Sequence, residues 1–135
     1  MGDVQSLLNK LTLENFDVIY NKVKARNPQS IKEYKDTISL IYDKAVMEQY
    51  FSTMYARLCI LLNSAWVDVV NMMLATREEE GGFVCYDRTV SQNPIPISDV
   101  YPTEEEALEA TKKKLTVRHI IAEKCQDVGV IDCNH

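Results

Sequence analysis

A chain of 135 residues, 46% hydrophobic and 26% charged, is large enough for one domain with a real core and has the composition of an ordinary globular protein. No apolar run approaches the roughly 20 residues of a membrane span, because Asn63, Ser64 and Asp68 break the longest candidate, Leu58 to Leu74. The net charge of −5 argues against a dedicated nucleic-acid binder, and no basic region leads into an apolar core at the N-terminus, so a cytoplasmic address is expected.

Val4, Leu7, Leu8 and Leu11 recur at spacings of three and four, which predicts a helix of about two turns. Thr12 offers a hydroxyl as N-cap, with Glu14 in the following first turn, and Phe16, Ile19, Tyr20 and Val23 form the stripe of a second helix. Neither helix is stable alone at this length, so the pair packs on something. Asn27 and Pro28 then make a loop. Ser30 opens a capping box with Glu33, and Ile31, Tyr34, Ile38, Ile41 and Ala45 give one face of a helix to about Met47. Phe51, Met54, Tyr55, Leu58, Leu61 and Leu62 mark the next helix. An interruption is expected at Asn63 and Ser64, with Trp66, Val69, Val70, Met73 and Leu74 on a further helical stretch.

Glu78 to Pro102 reads as a long acidic loop containing Gly and Pro. Gly81 and Gly82 end any helix, and Pro94, Pro96 and Pro102 prevent another. Phe83, Val84, Tyr86 and Val90 are candidates for a short extended piece folded back within it. Residues 77 to 109 hold nine acids against two bases, a net of −7, while residues 1 to 76 are neutral. Thr103 begins a second capping box with Glu106, and the helix it starts runs past Leu115. Thr116 re-caps the chain, so that Val117, Ile120, Ile121 and Cys125 lie on a separate segment, with Gly129 suited to its C-terminal cap.

No chemistry is visible along this pattern. There is no Gly-rich phosphate loop, nucleophile elbow or histidine pair at metal spacing, so neither an enzyme nor a cofactor is expected. Cys125, Cys133 and His135 are too widely spaced for a metal site, and the four cysteines read as reduced thiols. Lys112, Lys113, Lys114 and Arg118 form a local basic patch. Consecutive helical residues diverge by about 100°, so the three lysines cannot share one surface and RNA binding is expected to be weak.

Residues 4 to 23, VQSLLNKLTLENFDVIYNKV, resemble the start of the middle domain of eukaryotic translation initiation factor 4G, with its leucine-rich turn, Lys-Leu-Thr and following Phe. Residues 38 to 62, ISLIYDKAVMEQYFSTMYARLCILL, are similar to that family's second and third helices, and KKKLTVRHIIAEKCQDVGV at 112 to 130 is a fainter echo. Leu13 stands where the family often has Pro, a change that lowers rigidity at the helix start. The resemblance implies an all-α fold in which antiparallel helix pairs stack as a HEAT-type α-solenoid. It would be a single partial domain over 1–135, about two and a half repeats long, with one irregular loop at 78–102.

It further implies a translation-initiation scaffold that binds a DEAD-box RNA helicase of the initiation factor 4A type. Carried over position by position, the contacts fall on Leu8, Leu11 and Phe16, for which a place in the core is the alternative expectation. Related scaffolds of messenger RNA decay, splicing or cap-complex assembly, and a weak RNA-binding helical module, are the alternative expectations. A stack ending here is expected to leave Ile120, Ile121, Val128, Val130 and Ile131 bare. That face would be covered by self-association through the C-terminal segment, or by the Phe83 to Val90 segment acting as a lid.

Overall fold

The computed structural model of the protein describes residues 2–90 and 95–127. Two short helices, α1 (Gly2–Asn9) and α2 (Phe16–Lys24), precede a long central pair, α3 (Ile31–Met47) and α4 (Ser52–Asn71), joined through a single 3-10 turn at Gln49–Phe51. An antiparallel hairpin of β1 (Leu74–Glu79) and β2 (Gly82–Asp87) follows, and then α5 (Glu104–Lys114) and α6 (Val117–Asp127). The described residues form a helical stack of HEAT type with one inserted hairpin.

Local sequence signals explain most of the helix ends. Thr12 and Asn15 cap each other: the Asn15 amide donates to Thr12 Oγ1 at 3.1 Å, and the Thr12 amide donates to Asn15 Oδ1 at 2.6 Å. The reciprocal pair fixes the turn between α1 and α2. The second helix itself begins only at Phe16, after Asn15, so Thr12 serves the turn and is not the N-cap expected from the sequence, and Glu14 lies ahead of the first helical turn. Ser30 Oγ accepts from the Glu33 amide at 3.0 Å, Thr103 Oγ1 from Glu106 at 3.2 Å, and Thr116 Oγ1 from His119 at 3.2 Å. α5 carries Glu104, Glu105 and Glu106 in its first turn and Lys112, Lys113 and Lys114 in its last, a charge order that complements the helix dipole.

The core is organised around two aromatic residues with polar handles. Tyr34 on α3 is 2% exposed, and its ring meets that of Trp66 on α4 edge-on, with centroids 6.3 Å apart. The Tyr34 hydroxyl lies 2.7 Å from Asn63 Oδ1 on α4 and 3.0 Å from the Leu115 carbonyl in the α5–α6 turn, both positioned to accept its proton. Trp66 Nε1 donates to the Lys24 carbonyl at the end of α2, at 3.1 Å. Leu8, Val23, Ile38, Ile41, Leu58 and Leu62 fill the space between these elements. Further along the stack, Lys124 Nζ on α6 pairs with Asp43 Oδ1 on α3 at 2.8 Å. The links from 34 to 115 and from 43 to 124 advance together, so α6 runs parallel to α3, as successive pairs do in a solenoid.

Three further features differ from the sequence expectations. α4 is continuous through Asn63 and Ser64. Asn63 does not break it because its carboxamide has a hydroxyl partner across the helix interface. The 78–102 segment is not wholly irregular. Its first ten residues, with Leu74 to Arg77, make a hairpin whose two-residue turn, Glu80-Gly81, uses the positive φ of Gly81 (95°). Tyr101 and Phe83 then exchange backbone hydrogen bonds at 2.7 and 2.8 Å, and the Ile97 amide donates to Cys85 at 2.8 Å, so residues 97 to 101 shield the outer edge of β2.

The last difference concerns the C-terminal face. Ile120, expected to be bare, is 4% exposed and belongs to the core, because α6 packs on α3, α4 and α5. Nor is the Phe83 to Val90 segment a lid over it. The hairpin lies on α5, where Val84, Cys85, Ala107 and Thr111 are buried. Val128, Gly129, Val130 and Ile131 lie outside the described residues.

Candidate docking surfaces

The helix pair at the N-terminus is the first candidate. Leu8, Leu11 and Phe16 are 1%, 8% and 5% exposed and sit in the hydrophobic core, so their side chains offer little to a partner directly. The reason lies in the turn between the helices. The Thr12–Asn15 pair, with Asn15 Nδ2 donating to the Lys10 carbonyl at 2.7 Å, curls the chain so that both apolar stripes face α3 and α4. What this corner does present lies beside them. Leu13 is 67% exposed, and the exposed Arg57 of α4 holds its guanidinium 4.7 Å from the Phe16 ring centroid. Burial of Phe16 therefore positions a surface cation, a contact that spacing within one helix cannot reveal.

The basic patch divides between two sides of α5. Lys112 and Lys113 line a groove of about 260 Å³ against Asn63, Val67, Val70 and Asn71 of α4, with Leu115 and Thr116 closing its end. Lys114 instead lines a cleft with Lys32, Lys35, Asp36 and Asp87, where Lys32 is already paired with Asp36 at 2.9 Å. Arg118, on the first turn of α6, is exposed and lines neither. Lys112 has Glu109 only at 3.8 Å. A further cleft, about 640 Å³ between α1, the α2–α3 loop and α3, is closed electrically by an Arg26–Asp3 pair at 2.6 Å.

Buried ionisable groups are few among the described residues, and each is held neutral. Burial pushes the Tyr34 phenol up to about 12, with a further contribution from the Cys59 thiol, which burial also raises to about 12. Cys85 is raised by burial, partly offset by a hydrogen bond with Thr111. These are inert thiols rather than nucleophiles. No group of three His, Cys, Asp or Glu side chains among the described residues is placed to hold a metal, and the Cys125 side chain, Cys133 and His135 lie outside them. No helix among the described residues is long and apolar enough to cross a membrane.

Known proteins resemble part of the chain. Residues 2–80 match the profile of the MIF4G domain, which takes in α1 to α4 and β1. The chain is 42% identical over 65 residues to eukaryotic translation initiation factor 4G of Oryza sativa subsp. japonica, covering 48% of this chain and 4% of that protein. It is 44% identical over 54 residues to eukaryotic translation initiation factor 4 gamma of Dictyostelium discoideum, covering 39% and 4%. With eukaryotic translation initiation factor 4 gamma 3 of Mus musculus it shares 38% over 56 residues, covering 42% and 4%. The chain thus spans about a twenty-fifth of the length of these relatives. No solved structure matches it. The profile match takes in more than half of the chain, so the chain belongs to the MIF4G domain family, whose members are scaffolds rather than catalysts.

Proposed function

We propose that the chain is a docking scaffold of translation initiation, working in the cytoplasm and holding a DEAD-box RNA helicase of the initiation factor 4A type at the α1–α2 corner. The observation that carries this reading is the profile match over residues 2–80, which covers the whole of that corner and the central pair beneath it. Relatives named as initiation factor 4G from plants, an amoeba and a mammal support the process. The corner has the make-up of a docking site: an exposed aliphatic side chain, Leu13, and a stacked cation, Arg57, over a rigid apolar bed of Leu8, Leu11 and Phe16. In this reading the three buried residues act by shaping the bed, while Leu13 and Arg57 make the contact. RNA contributes weakly, since Lys112, Lys113, Lys114 and Arg118 give at most four phosphate contacts and a log–log salt slope of about −3 on a single strand.

The test separates surface from core. Leu13→Asp and Arg57→Glu should each remove capture of the helicase while leaving the melting temperature within about 2 °C of the parent, as surface changes do. Leu8→Ala should lower melting first, because it opens a cavity in the core. Undiminished capture by the Leu13→Asp, Arg57→Glu double variant would overturn the corner as the contact.

A further inference from the structure

We propose that the groove between α4 and the α5–α6 turn is a second, independent docking site, for a short acidic peptide segment carrying an aliphatic anchor. At about 260 Å³ it falls just below the roughly 300–1,000 Å³ of small-molecule pockets, which suits one anchoring side chain better than a folded ligand. Its floor is aliphatic: Val67 is 43% exposed, and Val70 and Leu115 lie buried beneath. A half-exposed valine at the bottom of a groove is apolar surface that an anchor would remove from water.

The rim supplies the charge. Lys113 makes no ion pair among the described residues, and Lys112 has Glu109 only at the outer limit of pairing, 3.8 Å. On the facing wall the Asn71 carboxamide makes no hydrogen bond among the described residues. Asn63 uses its oxygen for Tyr34, which leaves its amide nitrogen to donate outward. Two cations and two amides around an aliphatic floor match a peptide with carboxylates flanking a leucine-like residue, the amides serving its main chain. Peptide is favoured over RNA by what the groove lacks. Its one aromatic lining residue, Tyr34, is 2% exposed, so no ring face is free for a base to stack on. Two lysines also supply too few phosphate contacts to hold a nucleic acid at physiological salt.

The experiment titrates the full chain, labelled with ¹⁵N, with the hexapeptide N-acetyl-Glu-Asp-Leu-Leu-Glu-Asp-amide at low salt, and in parallel with hexauridylate. The expected result is saturable shifts of the Val67, Asn71 and Thr116 amides with the peptide. The double variant Lys112→Glu, Lys113→Glu should weaken it by about tenfold or more, as loss of rim charge with reversal does. Lys114→Glu makes the same kind of charge change one residue on, in the opposite cleft, and should leave affinity within about twofold. Asn71→Ala, which removes only the unpartnered amide, keeps the test valid if the double variant melts below the parent. Absent shifts overturn the proposal. So does equal weakening by Lys114→Glu, which would mark nonspecific charge attraction, and so does tighter binding of hexauridylate at the same amides, which would make the groove a nucleic-acid site. No helicase enters this test, so its failure leaves the α1–α2 corner untouched.

Discussion

Replacing Tyr34 by Phe deletes one oxygen and tests the central joint of the stack. The hydroxyl lies 2.7 Å from Asn63 Oδ1 and 3.0 Å from the Leu115 carbonyl. Its single proton serves two acceptors, so its removal leaves both without that donor. A buried acceptor stranded in this way costs about 1–3 kcal/mol. Asn63 is half-buried and water can reach its side, so the Leu115 carbonyl carries most of the penalty and about 1–2 kcal/mol is expected overall. For a domain of this size that is a fall of about 3–8 °C in melting temperature. The phenylalanine ring keeps its edge-on contact with Trp66, so no cavity loss adds to the figure.

Chemical unfolding followed by Trp66 fluorescence measures the change. An alkaline titration checks its origin. The folded pKa of Tyr34 is about 12 against an ordinary 10.0, so between those values the folded chain binds the proton that the unfolded chain has released. Stability is therefore full below pH 10 and falls as pH rises toward 12, by at most about 1.4 kcal/mol per pH unit from this group. Cys59 adds a similar fall from pH 9.0 upward. Tyr34→Phe should remove one proton's worth of that slope and leave the Cys59 part. A variant within about 0.3 kcal/mol of the parent, with the alkaline slope unchanged, would refute the joint; that margin is the usual scatter of additive surface changes.

Gly82→Ala should be the most damaging change in the hairpin. Gly82 has φ of 153°, and a Cβ there would run into the Tyr101 carbonyl oxygen, breaking the Phe83–Tyr101 pairing; a loss of about 1–3 kcal/mol is expected in thermal unfolding. Thr103→Ala and Thr116→Ala each remove a side-chain acceptor from a helix start and should cost about 1 kcal/mol. Trp66→Phe should cost more than either, because it leaves the Lys24 carbonyl without its donor and opens space beside Tyr34, about 2–4 kcal/mol by urea titration followed by circular dichroism. In a chain with Cys125 and Cys133 replaced by Ser, Cys59 and Cys85 should resist a thiol reagent at pH 8 until denaturant is added, since burial holds both as neutral thiols.

The helices were legible because their signals are local. Stripes at three and four residues, and Ser30, Thr103 and Thr116 at the caps, act within one turn of chain, and each cap hydrogen bond forms where the spacing places it. The continuity of α4 was not legible, since Asn63 is a helix interrupter by composition and a satisfied core group only when Tyr34, on another helix, is opposite. The hairpin was legible only in its second strand, where Phe83, Val84 and Tyr86 had marked an extended piece. Glu78, Glu79 and Glu80 disfavour strand, while the Gly81-Gly82 pair and the β-prone Phe83-Val84-Cys85-Tyr86 were the available signal. Burial of Leu8, Leu11 and Phe16 depends on the Thr12–Asn15 turn, whose angle no periodicity encodes. The exposed partner of that turn, Arg57, lies far along the chain on α4.

Two polar aromatics of the core, Tyr34 and Trp66, reach across the stack to a main-chain carbonyl: Leu115 for one, Lys24 for the other. A carbonyl is supplied by whatever residue stands there. Residue 115 lies in the part of the chain beyond the family profile, so the bond that fastens that part to the family core makes no demand on the identity of its acceptor. The clasp reads the path of the backbone and ignores its spelling. A chain built this way can change the residue that supplies this carbonyl, as long as the turn after α5 keeps its place, and keep the clasp.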